Sequence, residues 1–129
     1  EIQDNLIFDG AHTVNSIANT INVLKSLYPF SKYRLLFACA GDKDIKDIIP
    51  LFKNIFQTII FTKPETVRNC NPDSMLSAAE TNGIKAKIIE NPTQAFNKLK
   101  SELKTDDILL ITGSFYLVSE IKKILTTSE

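Results

Sequence analysis

Three short polar clusters, each containing a glycine, carry the side chains in this sequence that could bind an anion. The clusters are Asp9-Gly10-Ala11-His12, Gly41-Asp42-Lys43-Asp44 and Thr112-Gly113-Ser114. His12 is the chain's single histidine, and an imidazole beside the N-terminus of a helix can contact phosphate oxygens. Lys43 adds a cation suited to a phosphate or a carboxylate. These residue types favour the binding of a negatively charged ligand.

Each cluster directly follows a segment that is predicted to be a buried strand. Four apolar runs are continuous rather than alternating, which is typical of strands covered on both faces. They are NLIFD, YRLLFACA, TIIFTK and DILLITG, and KAKIIE is a weaker fifth. The three clusters come after the first, the second and the last of the four.

Segments with a helical spacing of apolar residues separate these strands. The stripes are Val14/Ile17/Ala18/Ile21/Leu24, Ile45/Ile48/Ile49/Phe52/Ile55, Met75/Leu76/Ala79, Phe96/Leu99/Leu103 and Leu117/Val118/Ile121/Ile124/Leu125. Asn71-Pro72 and Asn91-Pro92 are each typical of an N-cap followed by the first helical residue. Gly83 stands where a left-handed residue ends a helix.

The alternation of strands and helices predicts an α/β fold with a mainly parallel sheet between two helical layers. In such a sheet the carboxyl ends of the strands meet at one edge, where ligands bind. All three clusters are predicted to lie there, each ahead of a helix whose first N–H groups are free to bind an anion. We expect one shared site in a single domain spanning residues 1–129.

Each cluster also has a purely structural explanation. A glycine at a tight turn can be needed for its backbone conformation alone. Thr13, Asp42 or Ser114 could simply cap the helix that follows. Lys43 is solvated by default, and a lone His12 would more often be a cap or a polar packing residue. Both explanations stay open for each cluster, although three clusters at one edge favour a site.

The composition argues against several classes of partner. Fifteen basic and fifteen acidic residues cancel, so no bulk positive field would attract nucleic acid or an anionic membrane. Cys39 and Cys70 lack neighbours with the spacing of zinc ligands, and we expect no metal ligands in this chain. The longest apolar runs have the length of strands, which predicts a soluble, cytoplasmic protein.

Several well-known motifs are absent from these 129 residues. The sequence has no G-x-S-x-G, which argues against a hydrolytic triad of Ser114, His12 and Asp9. A phosphoacceptor receiver domain would need an aspartate after the third strand, where the chain has Thr62-Lys63. Neither G-x-x-x-x-G-K-[ST] nor G-x-G-x-x-G occurs. The predicted edge therefore looks like half of a site that another domain completes.

Taken together, the motifs resemble one known family. The segments IFDGAHTVNSI, FACAGDKDIKDII, FTKPETVRNCNPDSM and LLITGSFYLVSEIKKIL are similar in order and spacing to the C-terminal domain of folylpolyglutamate synthase/dihydrofolate synthase, within the Mur ligase superfamily. The resemblance runs from Leu6 to Leu125. It implies a Rossmann-like three-layer sandwich, with helices on both faces of a mainly parallel sheet.

This resemblance implies an ATP-dependent amide ligase. In that family ATP phosphorylates a folate or pteroate carboxylate, and the amino group of L-glutamate attacks the acyl phosphate. The central domain of those enzymes carries the phosphate loop and most of the Mg²⁺ ligands, and the C-terminal domain closes over it. The present chain would be that closing domain, with the central ATPase domain as its partner, and would be inactive alone.

The resemblance also implies roles for individual residues. Asp9 and Gly10 would help to bind ATP, Asp9 through the ribose, and His12 would face the phosphate or the incoming glutamate. Lys43 and Ser114 would bind the glutamate or orient it. His12 and Ser114 are then the implied catalytic residues.

Two positions carry over less directly. Arg68 stands where the family often has an arginine, and the resemblance gives it no firm role. Thr13-Val14 replaces the family's usual Asn-Pro, so a nucleotide contact made by that asparagine would be missing. Two other interpretations stay open, a Mur ligase that acts on cell-wall precursors and a stand-alone α/β binding module. The G-D-K-D turn and TGSFYLV favour the folate branch.

Overall fold

The computed structural model describes residues 2–3, 5–41, 44–67 and 69–127. In these ranges the strands are β1 (Ile2–Gln3), β2 (Leu6–Phe8), β3 (Tyr33–Phe37), β4 (Phe56–Phe61), β5 (Lys87–Ile88) and β6 (Ile108–Thr112). The α-helices are α1 (Val14–Leu27), α2 (Ile45–Ile48), α3 (Pro72–Thr81), α4 (Pro92–Glu102) and α5 (Phe115–Thr127). Strands and helices alternate from β2 onward, as the apolar pattern predicted.

The helices begin where the sequence places capping residues. Thr13 and Ser16 form a capping box at the start of α1, in which each side chain binds the other residue's backbone N–H. Asn71 accepts hydrogen bonds from the first turn of α3, and Asn91 accepts one from the Gln94 N–H at 3.0 Å in α4. The predicted helix starts are therefore confirmed. The sequence could predict them because each cap depends only on neighbouring residues.

The second helix is shorter than its apolar stripe predicted. The chain is α-helical only over Ile45–Ile48 and continues as a 3₁₀ helix over Ile49–Phe52. Pro50 is the physical reason, since it has no N–H to donate and its ring clashes with the carbonyl four residues earlier in an α-helix. The four buried side chains of the stripe, Ile45, Ile48, Ile49 and Phe52, still face the core.

The sheet has the order β1-β2-β6-β3-β4-β5 among the described residues. The pairings β2–β6, β6–β3, β3–β4 and β4–β5 are parallel, whereas β1 pairs with β2 antiparallel. The prediction of a mainly parallel sheet is therefore confirmed. The last strand of the chain lies between the first and second parallel strands, so residues distant in sequence meet at its carboxyl end.

Helices cover both faces of this sheet. On one face α2 packs against both α1 and α3, and on the other α4 packs against α5 and β3. Every residue of β3 and β6 is buried, which explains why their sequences are continuously apolar. In the described part of the chain, no helix has the length and apolar character needed to span a membrane.

A buried ion pair joins the strands at the amino-terminal edge of the sheet. Arg34 belongs to β3, and Asp107 is the residue directly before β6. The Arg34 Nε lies 3.4 Å from the Asp107 Oδ2, and the Arg34 guanidinium also donates to the Thr58 hydroxyl at 2.8 Å. Asp107 accepts a further hydrogen bond from the Lys104 N–H at 3.0 Å. The hydrogen bonds and the ion pair among these groups offset the cost of burying their charges. The pair lies at the edge of the sheet opposite the polar clusters.

At the carboxyl edge, the residue directly after β6 has no room for a side chain. Gly113 has a φ of 101°, in the left-handed region. A Cβ built at this position would lie 2.2 Å from the Ala38 carbonyl oxygen and 2.5 Å from the Phe37 ring. Only glycine allows the end of β6 to lie this close to the end of β3.

Gly113→Ala should therefore destabilise the fold by at least about 3 kcal/mol. The new methyl group would clash with the backbone at Ala38, and alanine would be strained at this positive φ. Gly83→Ala is the matched control, since Gly83 also has a positive φ of 69° but open space around its Cβ position. We expect it to cost only about 1 kcal/mol. Urea unfolding measures both values, and equal losses would show that the close approach contributes nothing.

Candidate functional site

The loop between β2 and α1 is folded around the Asp9 carboxylate. Its Oδ1 accepts from the Ala11 N–H at 2.9 Å, and its Oδ2 accepts from the Thr20 hydroxyl of α1 at 2.8 Å. Asp9 is half-buried and fixes the turn that carries Gly10 and His12. Each carboxylate oxygen keeps further acceptor capacity, so a ligand hydroxyl can still bind there.

His12 is exposed at the start of the same helix. Its Nδ1 lies 3.1 Å from the Gly10 carbonyl oxygen, and because a carbonyl only accepts, Nδ1 carries the proton. In the neutral ring Nε2 is therefore an acceptor. In the protonated ring Nε2 is a donor suited to an anion. The backbone contact thus fixes which nitrogen is offered to a ligand.

Ser114 connects β6 to α5 and is almost fully buried, with 6% of its surface exposed. Its Oγ accepts from the Tyr116 N–H at 3.1 Å and from the Leu117 N–H at 3.4 Å. These bonds make it the cap of α5, which is the structural explanation that the sequence left open. The hydroxyl proton can still be donated, so the substrate role of Ser114 stays a prediction.

Backbone hydrogen bonds bring the first and third clusters side by side. The Ala11 carbonyl accepts from the Gly113 N–H at 2.9 Å and from the Thr112 hydroxyl at 3.3 Å. On the other side of β6, the Ala38 N–H donates to the Thr112 carbonyl at 3.4 Å. The loops after β2, β6 and β3 are therefore joined at one edge, as the sequence predicted.

The second cluster is only partly described. Gly41 has a φ of 75°, and its N–H donates to the Asn69 carbonyl at 2.7 Å. Lys43, with its neighbour Asp42, and Arg68 lie outside the described residues. The predicted glutamate contact of Lys43 therefore stays a prediction.

A polar hollow of 540 Å³ continues this edge toward β5, and the sequence analysis missed it. Lys63, Cys70 and Glu90 are among the residues that line it. Burial raises the pKa of the Cys70 thiol, an effect that the backbone N–H of Cys39 and the charge of Lys63 partly oppose. Lys63 is the second residue after β4, so its position after an apolar run was the available signal in the sequence.

Comparison with known proteins identifies the family. The model of the family described as "Mur ligase, glutamate ligase domain" matches residues 2–115. The chain belongs to this family. The match covers most of the chain and includes the loops after β2, β3 and β6.

Individual relatives come from two branches of ligases. A dihydrofolate synthase/folylpolyglutamate synthase of Bacillus subtilis is 26% identical over 117 residues, covering 91% of this chain and 27% of that protein. A UDP-N-acetylmuramoyl-L-alanyl-D-glutamate-2,6-diaminopimelate ligase of Clostridium acetobutylicum is 30% identical over 116 residues, covering 84% of this chain and 23% of that protein. The chain thus spans about a quarter of the length of these relatives.

A solved structure has the same fold. The bifunctional folylpolyglutamate synthase/dihydrofolate synthase of Yersinia pestis, complexed with AMPPNP and a manganese ion, superposes with a TM-score of 0.83. It is 19% identical, and the match covers 97% of this chain and 30% of that one. This likeness confirms the predicted Rossmann-like three-layer sandwich of the Mur ligase C-terminal domain type.

Two side chains at this edge have hydrogen-bonding capacity left for a ligand. Among residues 2–3, 5–41, 44–67 and 69–127, no group of three or more histidine, cysteine, aspartate or glutamate side chains is placed to hold a metal. Asp9 has acceptor capacity for a ribose hydroxyl, and His12 is exposed where it can meet a phosphate.

The cap at α5 gives a test of the structural role of Ser114. Ser114→Ala should lower the free energy of unfolding by about 1 kcal/mol, because two N–H groups lose their acceptor. The same change at Ser119, inside α5, is the control and should be neutral or slightly stabilising, since alanine has the higher helix propensity. Thermal unfolding checks this, and equal effects at the two serines would contradict the capping role.

Proposed function

We propose that this domain is the glutamate-ligase half of an ATP-dependent enzyme that adds L-glutamate to dihydropteroate or to a folate. The proposal is carried by one observation: Asp9, His12 and Ser114 stand on loops joined at the carboxyl edge and keep hydrogen-bonding capacity for a ligand. The 129 residues contain no phosphate loop. Membership of the glutamate ligase domain family and the Bacillus subtilis relative support the reaction class. Residues 1–129 form one domain, and an ATPase domain supplies the other half of the site.

The reaction has two steps. The terminal phosphoryl group of ATP is transferred to the acceptor carboxylate, which gives an acyl phosphate and ADP. The glutamate nitrogen then attacks the carbonyl carbon, a C–N bond forms, and phosphate leaves with the electrons of the broken C–O bond. Positioning of the two reactants and neutralisation of phosphoryl charge supply most of the catalysis in such a step.

His12 is proposed to act in the second step. Glutamate is an ammonium ion in solution, so it loses one proton to water before its nitrogen attacks, and the nitrogen loses a second proton as the C–N bond forms. With Nδ1 donating to the Gly10 carbonyl at 3.1 Å, the neutral ring offers Nε2 to accept that proton. The resulting imidazolium then donates to the phosphate that leaves.

The other predicted residues have binding roles in this proposal. The Asp9 carboxylate accepts a hydrogen bond from a ribose hydroxyl of ATP. The exposed backbone at the neighbouring Gly10 allows the nucleotide to approach closely. Ser114 donates its remaining proton to glutamate, and Lys43 pairs with one of the glutamate carboxylates. Ser114 and Lys43 orient the substrate, while His12 exchanges the proton.

ATP and Mg²⁺ are proposed to be held mainly by the ATPase domain. The 129 residues contain no G-x-x-x-x-G-K-[ST] loop, and the Yersinia pestis ligase that shares this fold was solved with AMPPNP and manganese. The domain alone should therefore not turn over ATP. Both Cys39 and Cys70 are buried thiols, which fits the reducing cytoplasm that we propose as its location.

The Clostridium acetobutylicum relative favours one alternative. In that case the complete enzyme would add an amino acid to a muramyl nucleotide, using the same acyl-phosphate chemistry at the same edge. A binding module without catalysis is the remaining alternative, and no turnover with either acceptor would favour it. Glutamate-dependent release of phosphate, measured with dihydropteroate and with a muramyl peptide nucleotide, separates the three.

His12→Ala in the complete ligase should lower kcat/KM for glutamate by at least about tenfold, because the proton acceptor is lost. Since His12 is exposed, the melting temperature should change little. Asn22→Ala, an exposed change on α1, is the control and should leave both values as they are. Full activity of His12→Ala would remove His12 from the catalytic step, whichever acceptor the enzyme uses.

A further inference from the structure

Two neighbouring aromatic side chains stand exposed at the carboxyl edge. Phe115 and Tyr116, the first residues of α5, are 68% and 55% exposed. Their ring centroids lie 6.1 Å apart, with an angle of 80° between the ring planes. Large apolar surfaces in water are unfavourable, and a flat ligand ring placed against this pair would remove both from solvent.

The pair is held in place by the residues of the candidate site. The Tyr116 N–H donates to the Ser114 Oγ at 3.1 Å, so the cap of α5 fixes where the two rings begin. A Cβ built at Gly10 would lie 3.9 Å from the Phe115 Cα, which places the start of α5 directly beside the loop that carries His12. The rings therefore lie next to the proposed point of reaction.

The nucleotide and the aromatic pair belong to opposite faces of the sheet. The Asp9 carboxylate faces Thr20 of α1, and α1 belongs with α2 and α3 on one face. The aromatic pair begins α5, which packs with α4 on the other face. If ATP binds at Asp9, glutamate and the acceptor remain for the side of the aromatic pair, and of these two only a pteroate acceptor carries a flat ring.

We propose that Phe115 and Tyr116 bind the aminobenzoyl ring of a pteroate acceptor and so select it over acceptors whose reacting carboxylate is not attached to an aromatic ring. This inference rests on the proposed function. In dihydropteroate the reacting carboxylate is attached directly to a benzene ring, so the ring must reach the edge together with the carboxylate. A muramyl peptide brings its carboxylate on a flexible aliphatic chain and gains nothing from stacking on aromatic side chains.

The test uses the complete ligase and three substrates measured separately. Phe115→Ala and Tyr116→Ala should each raise the KM for dihydropteroate about tenfold, the size expected for loss of one stacked ring. The KM values for ATP and for glutamate should stay within about twofold of wild type. Tyr116→Phe keeps the aromatic ring and should keep the wild-type KM for dihydropteroate. This variant tests the role of the ring even if an alanine variant fails to fold.

Phe30→Ala is the matched control. Phe30 is 97% exposed in the connection between α1 and β3, at the opposite edge of the sheet, and its loss should change none of the three KM values. An unchanged KM for dihydropteroate in both alanine variants would overturn the inference. Equal losses with all three substrates would also overturn it, because they would indicate a contact with the ATPase domain instead.

The wild-type enzyme separates this inference from the proposed function. If it turns over a muramyl nucleotide and not dihydropteroate, the proposed function fails and the inference fails with it. If it turns over dihydropteroate and the aromatic variants behave as wild type, only the inference fails.

Discussion

The candidate site depends on the close approach of the end of β6 to the strands on either side of it. Gly113 leaves no room for a side chain against the Ala38 carbonyl, and the same turn binds the Ala11 carbonyl through two donors. The loops after β2, β6 and β3 are thereby held at fixed separations. Because β6 is the last strand of the chain and pairs with the first and second parallel strands, the site forms only when contacts about a hundred residues apart have formed, as between Thr112 and Ala11.

Two polar side chains of this edge are fixed in place by hydrogen bonds within the protein. Asp9 holds its own turn through Ala11 and Thr20, and Ser114 caps α5, yet each keeps hydrogen-bonding capacity for a ligand. A group that is already fixed by internal bonds does not have to be ordered when the substrate binds, which lowers the cost of binding and aligns the group in advance. Structural and ligand-binding explanations of such residues are therefore compatible, and loss of stability in a variant does not by itself argue against a role in the site.

Local features of the fold were predictable from the sequence, and the arrangement of distant segments was not. The caps at Thr13 and Asn91 depend on residues within one helical turn, so their patterns predicted the helix starts correctly. The insertion of β6 between β2 and β3 depends on pairing between distant segments. The sequence of an apolar run does not show which strand it will pair with. Lys63 was missed for a related reason: the sequence shows that it follows a strand, but only the folded sheet places it beside Cys70 and Glu90.

The proposed function assigns different substrates to the two faces of the sheet. Under the proposed function, ATP approaches the face covered by α1 and the acceptor approaches the face covered by α5, while His12 stands between them on the loop after β2. An acyl phosphate is destroyed by water, so neither half of the site should complete it while the enzyme is open. Keeping the phosphate loop on another domain satisfies this requirement, because closure then brings donors, nucleotide and acceptor together in one step. The exposed aromatic pair and the exposed histidine are, in this account, the surfaces that closure covers.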